Sequence, residues 1–241
     1  MFKKILVPFV LVAVMGVFVF GAVNIAAAQG GIQGAGQGGY GGSRGAIGSA
    51  TGLLPAAGSL SASEAAALAY MREEEKLAHD VYVTLYIRWG LPLFQNIAAS
   101  EQAHTDAVKM LLDRYGVADP ASSTVGVFSN PELQALYNDL VTIGNQSLAD
   151  ALKVGAAIEE IDIIDLDTRL AETDNADIQQ VFTNLRQGSE SHLRAFTTTL
   201  QTQTGETYAP QYLTPEAYQE ILSGSAGNGK NGSGNGRWGR Q

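Results

Sequence analysis

Four stretches of this chain carry apolar residues at the three-and-four spacing of a helix seam, and each breaks its seam near mid-length with a carboxylate or an imidazole. The first seam reads Leu68, Met71, Glu75, Ala78, Tyr82 and Leu85; the second reads Phe94, Ile97, Glu101, His104, Val108, Leu111 and Tyr115. The third reads Leu148, Leu152, Gly155, Glu159, Asp162 and Leu166, and the fourth Ile178, Val181, Leu185, Gly188, His192 and then Ala195 or Phe196. A buried carboxylate costs several kcal/mol unless it is paired or coordinates a cation. Four seams with the same interruption therefore need a shared explanation: a metal cluster, or else a polar layer satisfied within itself.

The punctuation between the seams predicts an all-α chain. Ser61-x-x-Glu64 is a capping-box pattern, and a first helix is expected from about Ser63 to Arg88, stopped by Gly90 and Pro92. A second runs from about Leu93 to Tyr115, ahead of Gly116. Asn130-Pro131-Glu132 opens a short helix ending at Gly144, Ser147 caps a long one to about Ala171, and Asp174 or Asn175 begins another reaching Thr204. Thr214-Pro215-Glu216 starts one more short helix. No segment alternates, so no sheet is expected. Two antiparallel helical hairpins joined by a long crossover with a short helix make a four-helix bundle. Glu75 and the Glu101/His104 pair lie at matching distances from the first turn, and Glu159 and His192 do so from the second, so the polar residues of each hairpin face one another.

Charge and glycine divide the chain into segments. All 24 Asp and Glu lie in residues 63–222 against nine Lys and Arg, a balance of −15 that does not attract phosphate backbones; nucleic acid is not an expected partner. Residues 1–28 read as an export signal: Lys3 and Lys4, an uncharged run from Ile5 to Val23, and Ala26-x-Ala28 as a cleavage site. Left uncleaved, the run is just long enough to anchor the chain in a membrane. Either way the remainder is placed outside the cytoplasm, in the periplasm, at the cell surface or beyond. Residues 29–62 are a Gly-rich flexible linker, 63–222 the helical domain, and 223–241 a disordered basic tail rich in Gly and Asn. The chain has no cysteine, which excludes disulfides, thiolate-held iron and a thiol nucleophile.

Three strings carry a resemblance. Met71-Arg-Glu-Glu-Glu-Lys-Leu-Ala-His-Asp-Val-Tyr82, Phe94-Gln-Asn-Ile-Ala-Ala-Ser-Glu-Gln-Ala-His104 and Gly188-Ser-Glu-Ser-His-Leu-Arg-Ala-Phe196 are similar to ferritin-like proteins known as domain of unknown function 2202. More broadly they resemble the rubrerythrin-like bundles with carboxylate-bridged di-iron centres. That resemblance implies a ferritin-like four-helix bundle in which helices one and three each give a Glu, while helices two and four each give Glu-x-x-His. Glu75, Glu101, His104, Glu159 and His192 take those positions. The chain departs at Ser189, where the pattern has Glu, and Asp162, one turn after Glu159, can replace the missing carboxylate.

Carboxylate oxygens with two imidazoles suit iron, and also manganese or zinc. Glu101 and His104, three apart and about 5 Å along the axis, can reach one ion together. Tyr82 can donate a hydrogen bond to a ligand. In the run Glu73-Glu74-Glu75 at least one carboxylate is expected in solvent, with Glu75 inward, or Glu74 on a rotated helix. His79 reads as a surface residue, and Glu160, Asp165 and Asp167 as an acidic outer face. The expected function is that of an exported di-metal protein, with ferroxidase or peroxide-handling chemistry and oxygen or peroxide as small partners. The alternative is a non-catalytic bundle that holds a structural metal or a protein partner.

Overall fold

The computed structural model describes Leu54 and residues 57–224. The expected signal segment 1–28, most of the linker and the tail beyond residue 224 lie outside the described residues. Six helices follow one another: α1 (Ala62–Trp89), α2 (Pro92–Tyr115), α3 (Pro131–Gly144), α4 (Leu148–Glu172), α5 (Ala176–Thr204) and α6 (Pro215–Ser223). Among the described residues there is no strand, and no helix is long and apolar enough to cross a membrane.

Local chemistry sets these boundaries. Ser61 Oγ accepts the Glu64 N–H at 3.2 Å while the Glu64 carboxylate accepts the Ser61 N–H at 2.9 Å, closing the capping box. Gly90 ends α1 at φ 65° and Gly116 ends α2 at φ 67°, left-handed conformations in which a Cβ would be strained. Asn130 caps α3 by accepting from the Glu132 and Leu133 N–H groups, and Ser147 caps α4 by accepting from Asp150.

α1 packs along α2 and α4 along α5, and the two pairs meet through α1 against α4 and α2 against α5. α3 lies on α1 and α4, and α6 touches α5. Two apolar clusters result. One gathers Tyr82, Leu85, Phe94, Leu152 and Phe196, and the other Leu68, Met71, Leu111, Leu166, Phe182 and Leu185. The interruptions of all four seams fall between them. At position 195 or 196 of the fourth seam it is Phe196 that is fully buried, against a bare patch of α4: a Cβ on Gly155 would lie 2.4 Å from its ring.

The carboxylates expected in solvent are not all there. Glu73, Glu74 and Glu75 are all buried. The crossover covers the outer face of α1, and Glu73 binds it by accepting the Ser129 and Asn130 N–H groups at 2.5 and 3.0 Å. Lys76 assists, donating to Asp80 and to the Thr124 carbonyl. Glu160, expected on an acidic face, is fully buried: its carboxylate accepts the N–H groups of Gln211, Tyr212 and Leu213 at 3.0, 2.7 and 2.8 Å. Three donors satisfy that buried charge and pin the segment that leads into α6. Asp167 is exposed as expected, Asp165 is half-buried, and His79 is half-buried against Asp80.

Candidate metal centre

The layer between the two apolar clusters is built by one turn from each long helix. Glu75 comes from α1, Glu101 and His104 from α2, Glu159 and Asp162 from α4, and Ser189 and His192 from α5. All but His104 are buried, and His104 is nearly so.

Glu101 is the hub. Its Oε2 lies 2.8 Å from Nδ1 of His104 and its Oε1 lies 2.7 Å from Nδ1 of His192. Glu75 Oε2 approaches the same His104 nitrogen at 3.3 Å, and Glu159 Oε2 approaches the same His192 nitrogen at 3.4 Å. The two imidazoles stack with centroids 5.5 Å apart. Ligand atoms of Glu75, Glu101 and His104 therefore converge in one group, and those of Glu101, Glu159 and His192 in a second, each within 4.8 Å. Both groups contain two carboxylates and one imidazole, and Glu101 belongs to both.

Several of these atoms lack hydrogen-bond partners: Glu75 Oε1, Glu101 Oε1, Asp162 Oδ1 and His192 Nδ1. The last pair is instructive. Glu101 Oε1 and His192 Nδ1 are 2.7 Å apart and pair as carboxylate and imidazole. Buried polar atoms are rarely left without a hydrogen-bond partner, and these four lie among groups whose carboxylate and imidazole atoms could hold an ion.

Outer contacts hold these side chains in place. Tyr82 Oη donates to Glu159 Oε1 at 2.5 Å, and Ser100 Oγ lies 2.9 Å from His192 Nε2. Ser189, standing where the resemblance has Glu, donates its hydroxyl to Asp162, so the α4 carboxylate sits at the end of the short α5 side chain. Asp162 nonetheless stays outside both three-residue groups.

Charge in the layer is held by protons in the absence of metal. Burial disfavours charge on both imidazoles, but the carboxylates outweigh it: Glu101 and Glu75 raise His104 to about 11, and Glu159 and Glu101 raise His192 to about 10. Glu101 is opposed by burial, but His104 and His192 bring it down to about 2. Burial raises Glu75 to about 7, and burial with neighbouring carboxylates raises Glu159, Asp162 and Glu74.

Ser100 and Gly188 were not singled out as supports from the seams, though an internal alignment carries the signal. Ser100-Glu101-x-x-His104 on α2 parallels Gly188-Ser189-x-x-His192 on α5, and the residue before each motif meets the opposite histidine. A Cβ on Gly188 would lie 2.6 Å from His104 Nε2 and Cε1. Gly188→Ala is therefore expected to displace the ring and lower stability by about 1–3 kcal/mol in a urea titration. An unchanged midpoint would show that the contact is slack.

The family model described as an uncharacterized protein domain, DUF2202, matches residues 64–225. The chain is 51% identical over 173 residues to Uncharacterized protein MJ0754 of Methanocaldococcus jannaschii, covering 71% of this chain and 93% of that protein. The crystal structure of hypothetical protein MJ0754 is similar with a TM-score of 0.70 and 51% identity, over 72% of this chain and 99% of that one.

Proposed function

The chain belongs to the DUF2202 family of uncharacterised domains, and from that premise we propose that it is a ferritin-like protein whose four long helices form a bundle around a two-ion centre. The observation that carries this reading is Glu101, one carboxylate whose two oxygens serve two separate ligand groups. Glu75 and His104 would complete one position, Glu159 and His192 the other, and Asp162 would take the side of the layer where α5 offers Ser189. The four carboxylates balance two divalent ions once the imidazoles are neutral. Hard oxygens with two imidazole nitrogens and no thiolate favour iron, with manganese or zinc as substitutes.

Bound there, a pair of iron ions would supply electrons to oxygen or peroxide. The chain's own residues do the rest. Tyr82 keeps a proton on its phenol oxygen against Glu159, Ser100 fixes the orientation of His192, and Phe94 and Phe196 close the adjacent core to water. With no cysteine in the chain, thiolate-held iron does not relay electrons within it, so Fe(II) itself is the electron donor we assign. Residues 1–28 place this chemistry outside the cytoplasm in our reading.

Anaerobic titration with Fe(II) is expected to saturate the centre at two ions per chain, and admitting oxygen is expected to consume it with oxidation of those ions. Two ions bound without oxygen or peroxide consumption would support the structural-metal alternative. No tight binding of iron, manganese or zinc would reject the centre.

A further inference from the structure

The four long helices do not shield the central layer equally. α3 packs on both α1 and α4, so the side of the layer from which Glu75 and Glu159 come is roofed. Among the described helices α2 packs only on α1 and α5, and none packs across both α2 and α5. Exposure follows that difference. The side chains of His104 and His192, which α2 and α5 contribute, are 12% and 11% exposed, against 1% for Glu75 and 2% for Glu101 and Glu159.

Each imidazole turns one nitrogen inward and the other to the α2–α5 seam. Nδ1 of both rings faces Glu101, whereas Nε2 of His192 meets Ser100 Oγ at 2.9 Å and Nε2 of His104 lies 2.6 Å from where a Cβ on Gly188 would stand. These two contacts fix α2 and α5 as antiparallel, with Ser100 opposite His192 and His104 opposite Gly188. The helical repeat then places Ala103 and Ala107 beside Ser100, and Ser191 and Ala195 beside Gly188, so small side chains line the seam around the rings. An ion crosses a packed apolar wall only by giving up its water with nothing in exchange. On the roofed flank, the recess that holds Glu74 and Asp162 is otherwise walled by Leu77, Ala78, Leu136, Ile158 and Ile161. The α2–α5 seam offers a hydroxyl and two imidazole edges instead.

We propose that the α2–α5 seam is the port by which divalent ions enter and leave the central layer, opened by Ser100 and Gly188 and rimmed by the outer edges of His104 and His192. That the port serves ions rests on the two-ion reading above; that the seam is open does not.

Ala103 and Ser191 are exposed, and a helical side chain leans over the preceding turn, so Ala103→Trp would cover Ser100 and Ser191→Trp would cover Gly188. Neither residue belongs to the layer, and Thr183→Trp on the outward side of α5 is the control. With Mn(II) alone, the two covers together are expected to slow loading and stripping by excess chelator alike, each roughly tenfold, with Kd unchanged because both directions use one path. Thr183→Trp is expected to change neither rate. Unchanged rates in the covered chain overturn the port, and so does slower loading matched by an equal loss of affinity, which marks disturbed ligands. A second readout needs no metal. A dissolved nitroxide is expected to broaden the ring proton signals of His104 and His192 in the metal-free chain, and the two covers to protect them. Rings that stay sharp in the unaltered chain overturn the opening. If the rings are broadened and then protected in a chain that binds no Mn(II), the open seam stands, while the two-ion reading falls and the ion port falls with it.

Discussion

Glu101→Gln is expected to strip both central ions at once. Each ligand group draws on one oxygen of Glu101, so the single change reduces both to one carboxylate and one imidazole. Even the loss of a group that merely orients a ligand costs 10–100-fold in metal affinity, so losing a shared ligand should cost roughly 100-fold or more at each position. Gln preserves volume, which separates ligand loss from a packing defect; Glu101→Ala would also leave two imidazolium ions without their common partner, an added cost of about 3–5 kcal/mol. Elemental analysis after equilibrium dialysis is the measurement, with Glu132→Gln on the exposed start of α3 as control. Retention of two ions by the Glu101→Gln chain would place the metal elsewhere.

The metal-free protein is expected to lose stability as pH rises from about 5 to about 9. Glu75, raised to about 7, favours the fold while it is protonated; that contribution is complete below its ordinary value of 4.5 and is gone once pH has passed 7. Glu75 alone accounts for on the order of 3 kcal/mol, and Glu74, Glu159 and Asp162, also raised, act in the same direction. The imidazoles follow the same sign higher up: their contribution is full below 6.5 and is lost as pH climbs through about 10 for His192 and about 11 for His104. Glu101 runs the other way, contributing above 4.5 and losing it as pH falls through about 2. Bound ions replace these protons, so affinity rises with pH. A hundredfold excess of Mn(II) over Kd adds about 2.7 kcal/mol. Thermal melts with Mn(II) and with chelator should therefore diverge as pH increases, and parallel curves would contradict a proton-for-metal exchange in the layer.

Much of this was legible in the sequence because it is local. Ser61, Asn130, Ser147 and Thr214 cap helices through their own side chains, and Gly90, Gly116 and Gly205 end them in left-handed turns, so the boundaries fall where the residues say. The central layer was legible because each of the four apolar stripes is interrupted by carboxylate or imidazole near its middle. Glu73, Glu74 and Glu160 were not, because helical period reports which face a residue occupies and not what lies on that face. The crossover covers Glu73, and residues 211–213 cover Glu160. A charge on the outer side of a helix reads as solvated until the chain that folds over it is known.

The contact between Ser189 and Asp162 bears on how a motif should be read. Read as a string, the chain has a single Glu-x-x-His, and a search that demands the repeat on α5 passes it over. Read in space, α5 meets a carboxylate supplied by α4: Asp162 ends at the Ser189 hydroxyl. Positions 162 and 189 thus act together: the short hydroxyl of one leaves room for, and holds, the carboxylate of the other. A change at either position is therefore felt at the other, and the two are to be substituted together rather than singly.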